Sequence, residues 1–128
     1  MEQKVLVRAV AERTTLTREE SADVTRAVLE GLADQLSDGE ARRLAADLPE
    51  ELAEQVQVPR RRRKGAHPLE VDDFVRQLSA RAGLTEDDAR TGAGAVLAAL
   101  REALSDEDYR HLVGQLPAGY TVLEASVG

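Results

Sequence analysis

The chain has 128 residues, no cysteine or tryptophan, 42% hydrophobic residues and a formal net charge of −7 at pH 7. That length suits one domain, or two small halves sharing a core, and the lack of cysteine excludes disulfides, thiolate metal sites and thiol nucleophiles. No apolar run approaches the ~20 residues of a membrane span, and no signal-peptide core opens the chain, so a cytoplasmic protein is expected.

In chain order, the first helix is predicted over about residues 3–13, where Leu6 and Val10 stand at i, i+4 spacing. "TREE" (17–20) then sets a threonine at an N-cap with a carboxylate three residues on, and acids crowd the first turn. The helix it opens runs to about residue 35 and lines up Val28, Leu32 and Leu36 on one face. "SDGE" (37–40) repeats the cap and opens a shorter third helix. Leu48-Pro49 ends it, because the residue before a proline is pushed out of the α region. Next comes "VPRRRRKGAHP" (58–68), which places Arg60, Arg61, Arg62, Arg63 and Lys64 in a row between prolines.

Beyond the basic run the same order returns. A helix over about 70–81 carries Phe74 and Leu78, and "TEDD" (85–88) caps one that runs to about residue 103 with Val96, Leu100 and Leu104 on its face. "SDED" (105–108) opens a third helix that Leu116-Pro117 ends, and only "YTVLEASV" (120–127) suggests a short extended tail. Sliding the chain by 68 residues aligns 5–52 with 73–120 without a gap, giving sixteen identities in forty-eight positions. Most matched positions are apolar, cap-forming or helix-ending, so the repeat preserves a fold unit rather than a reactive centre. The expected fold is all-α: two homologous three-helix units, 1–58 and 69–128, packed into one bundle and joined by a basic linker, 59–68.

The doubled pattern "AVL…L…LS…EA…LAADLP" and "F-V…G-L…A-V-L…L…L-S…L…Q-L-P" resembles a bacterial family known as domain of unknown function 2267. The resemblance covers nearly the whole chain and implies a compact helical protein. It brings no activity, cofactor or catalytic residue with it. Many members have an aromatic- and glycine-rich stretch between the units, where this chain has its arginine run.

Residues with reactive side chains have structural explanations. "TGAGAVLAAL" (91–100) is small-sided, which permits a close crossing of the two long helices. A phosphate loop would need its glycines between a strand and a helix, followed by Lys-Ser/Thr. His67 falls in the linker, and His111 matches Arg43 in the first unit, which points to a solvated helix surface and not to a metal ligand. The carboxylates Glu19, Glu20, Asp23, Glu86, Asp87, Asp88, Asp106, Glu107 and Asp108 gather at helix starts, where capping and the dipole account for them. "DGEARRLAADLPEE" (38–51) lacks the ligand spacing of a calcium loop. No Ser-His-Asp or nucleophile-elbow pattern appears, so no enzyme, catalytic residue, metal or cofactor is expected. Tyr109 and Tyr120 are the only tyrosines and are the candidate anchors if the second unit binds a partner.

The basic run remains. Residues 1–58 carry seven basic and thirteen acidic side chains, and residues 66–128 carry five and eleven, so two bodies of net −6 flank it. Arginine outnumbers lysine fifteen to two and isoleucine and asparagine are absent, a bias that GC-rich coding produces. A nucleic-acid binder usually shows a basic face and a high pI, whereas the pI here is about 4.9. Neither do aromatics stand near the run to stack on bases. The reading is therefore a solvated or internally paired linker. The expected function is contact with a protein partner or self-association, without a small-molecule substrate. The alternative is an anion or nucleic-acid binder acting through Arg60–Lys64.

Overall fold

Four hydroxyl side chains set where the main helices begin. A computed structural model of the chain describes residues 3–57 and 69–125, and these form eight helices with no strand among the described residues. They are α1 (Gln3–Glu12), α2 (Arg18–Ala33), α3 (Asp38–Asp47), α4 (Glu50–Gln57), α5 (Val71–Ala82), α6 (Glu86–Ala103), α7 (Asp106–Gly114) and α8 (Tyr120–Ala125). Thr17, Ser37, Thr85 and Ser105 are the N-caps of α2, α3, α6 and α7, each accepting from the backbone N–H three residues on. At α2 the capping box is complete, because the Glu20 carboxylate also accepts from the Thr17 N–H at 2.9 Å.

Three details differ from the sequence expectation. First, α2 ends at Ala33, and the chain then tightens: Gln35 and Leu36 donate to Leu32 and Ala33 in i−3 bonds of 3.0 and 3.1 Å. Second, the described residues of each half form four helices, not three. Pro49 ends α3, yet its carbonyl accepts from Leu52 and Ala53 at 3.0 and 2.8 Å and so opens α4. Third, the segment expected to extend from residue 120 is helix α8. There Tyr120 and Leu123, spaced i, i+3, are both buried, and burying them outweighs the local preference of Thr121 and Val122 for extension.

The halves interlock. Helix α1 packs on α2 and also on α6, while α5 packs on α6 and also on α2. The long helices α2 and α6 touch each other, and α3 meets α7. The small face of α6 has the packing role inferred for it: a Cβ on Gly92 would lie 2.8 Å from Val24 Cγ2, so only glycine lets α2 approach this closely. Beside this crossing, Phe74 of α5 lies over Gly31 of α2, where a Cβ would come within 2.6 Å of the ring. Around these contacts one continuous core forms, including Leu6, Val28, Leu32, Leu97 and Leu100.

Ion pairs also cross between the halves. Arg13 at the end of α1 pairs with Glu102 of α6, and Arg81 at the end of α5 lies 3.8 Å from Glu30 and 3.9 Å from Asp34 of α2. All are partly solvated, and such pairs contribute well under ~1 kcal/mol each. Their effect is on orientation more than on stability.

Two substitutions probe this packing. Gly92→Ala gains about 1 kcal/mol in helix preference but overpacks the Val24 contact, which costs roughly 1–3 kcal/mol. Net destabilisation in urea unfolding is expected, and Val24→Ala in the same chain should cancel the overpacking part. Ser21 is fully buried and its hydroxyl has no hydrogen-bond partner. Ser21→Ala should therefore stabilise by about 0.5–1.5 kcal/mol, read as a raised thermal midpoint.

Candidate functional site

The most highly organised polar cluster among the described residues surrounds the Leu69 backbone, just ahead of α5. Gln35 sits in the turn after α2 and is 2% exposed, a position that demands partners for its amide. Its Nε2 donates to the Tyr120 hydroxyl at 2.9 Å and, more weakly, to the Gly31 carbonyl at 3.4 Å. Its Oε1 accepts from the Leu69 N–H at 2.9 Å. Tyr120, at the start of α8, donates its hydroxyl to the Leu69 carbonyl at 2.6 Å. One peptide residue is thus gripped at both its N–H and its C=O, by side chains from the two halves.

Packing holds this clamp in place. The Tyr120 ring meets Phe74 edge-on, with centroids 5.3 Å apart and planes at 65°. Burial pushes the Tyr120 hydroxyl up to about 12, Glu70 adds to the rise, and the Gln35 hydrogen bond opposes it. The phenol therefore stays protonated at neutral pH and acts as a donor. With the Leu69 peptide, Gln35 and Tyr120 satisfying one another, the cluster can hold backbone, but no lone reactive group is aimed at solvent.

Gln35 was not among the residues singled out from the sequence, and Tyr120 was named there only as a candidate anchor if the second unit binds a partner. A signal did exist. The positions 68 residues away are Ala103 and Leu52, so Gln35 and Tyr120 are polar departures from a matched apolar pair. The two departures bond to each other.

Tyr109 is likewise spent on the core. It is 7% exposed, and burial, with help from Glu124 and against Arg101, pushes its hydroxyl up to about 12. That hydroxyl has no hydrogen-bond partner. Neither tyrosine offers a free ring as a surface anchor, because the chain's own helices already cover both. Arg60, Arg61, Arg62, Arg63, Lys64 and His67 lie outside the described residues, as does the linker 59–68.

On the surface, α7 borders an open groove lined by Glu107, Arg110, His111, Gly114 and Gln115. The His111 Nε2 is 3.8 Å from the Glu107 carboxylate, one helical turn away, and both side chains are more than half exposed. Gln115 is tied down, since its Oε1 accepts from the Ser37 N–H at 3.1 Å. Where α3 meets α7, Arg43 stands 4.0 Å from Asp108. Asp47 shares this corner: desolvation raises its pKa, the hydrogen bond and charge of Asp108 raise it further, and Arg43 opposes. The acids of α2, α6 and α7 singled out in the sequence stand in or beside first turns. Among the described residues, no three His, Asp or Glu side chains converge as a metal site would require.

Interlocked helical halves, joined by the grip on Leu69, define an all-α bundle. Among the described residues, no helix is long and apolar enough to cross a membrane. The chain belongs to the family described as "Uncharacterized conserved protein (DUF2267)", whose model matches residues 3–123. No curated protein matches it.

The clamp predicts non-additive energetics. Gln35→Ala strands the Leu69 N–H and should cost about 2–3 kcal/mol, and Tyr120→Phe about 1–2 kcal/mol. Their double variant should cost less than the sum, measured as a coupling energy in a denaturant double-mutant cycle. The Asp47 corner predicts a pH effect of opposite sign to the usual carboxylate. Its raised pKa means the folded state holds the proton more tightly, so its contribution falls as pH rises through that range. Asp47→Asn should raise the thermal midpoint at pH 7 by about 1–2 °C, because exposed charges couple weakly. The gain should vanish on acidification below the ordinary carboxylate value of 3.8.

Proposed function

We propose that this is a small, non-enzymatic helical module of the cytoplasm that acts by contact, with a protein partner or with a second copy of itself. The observation that carries the reading is the Leu69 clamp. The most organised polar cluster among the described residues bonds side chains of both halves to the Leu69 backbone, which supports a structural use of that cluster. Matched spacing over 5–52 and 73–120 supports treating the halves as copies of one unit, whose identities are packing and capping residues. The exposed first-turn carboxylates Glu19, Glu86, Asp87, Asp106 and Glu107 supply a charged, solvated exterior suited to polar contacts.

Sedimentation of the purified chain across a wide concentration range tests self-association, and a pull-down from native lysate, with the eluate identified, tests for a partner. Concentration-dependent mass, or a partner that survives a salt wash, is the expected outcome. Turnover of a small molecule that a single Asp or His substitution abolishes would overturn the reading.

A second reading, that the protein binds anions or nucleic acid, rests on the five consecutive cations Arg60–Lys64. Against it stands the field of the two net −6 flanking bodies, which repels polyanions. A gel-shift titration against salt decides between the two. Binding lost both with salt and on neutralising Arg60–Lys64 favours the segment, and no shift at low salt removes it.

A further inference from the structure

We draw no further inference here: the strongest candidate, the acidic cluster of Asp47 and Asp108 beside Arg43 where α3 meets α7, has a raised Asp47 pKa but no second observation that points to a ligand there.

Discussion

The close crossing of α2 and α6, with Val24 seated on Gly92, is the constraint around which the other helices are arranged. Because the two long helices approach this closely, each can also serve the first helix of the opposite half: α6 receives α1, and α2 receives α5. The positions in contact at the crossing are themselves 68 residues apart, so equivalent sites of the two halves face each other. Two valines there would collide. One chain carrying both halves can place a large residue on one side and none on the other, which two identical subunits cannot do.

The same compensation recurs away from the crossing. Phe74 lies over Gly31, whereas the positions 68 residues removed hold Leu6 and Ala99, both buried. A larger ring is matched by a smaller floor in one half, and a smaller side chain by a larger floor in the other. Interiors packed to crystal-like density require such matching of volumes, because neither a void nor an overlap is tolerated cheaply. The ion pairs obey the same geometry. Arg13 with Glu102 and Arg81 with Asp34 occupy corresponding sites, so the halves are oriented by a charge at each side of the crossing. These solvated pairs add direction to a cohesion supplied by the apolar core.

What could be read from the sequence was whatever local chemistry decides. Thr17, Ser37, Thr85 and Ser105 announce their helices because a cap needs only the next three residues, and all four cap as the spacing requires. The small face of α6 was legible too, since glycine and alanine inside a helical pattern have few reasons to be there other than close approach. Helix α8 was not legible: Thr121 and Val122 favour extension, and only the buried seats of Tyr120 and Leu123 outweigh them. Nor was the Arg13–Glu102 pair, whose members lie 89 residues apart with no spacing rule to connect them. Of the candidate site, the residues were visible but the roles were not. Tyr120 stood out as a rare aromatic, while its buried partner Gln35 looked like an ordinary polar residue near a helix end. Only the departure of both from the matched pattern tied them together.

The grip on Leu69 also gives α5 a fixed point to start from. With that peptide fixed at both polar groups, the helix begins two residues later from a defined point. The register that seats Phe74 over Gly31 thus has its reference point at Leu69, two residues ahead of the helix.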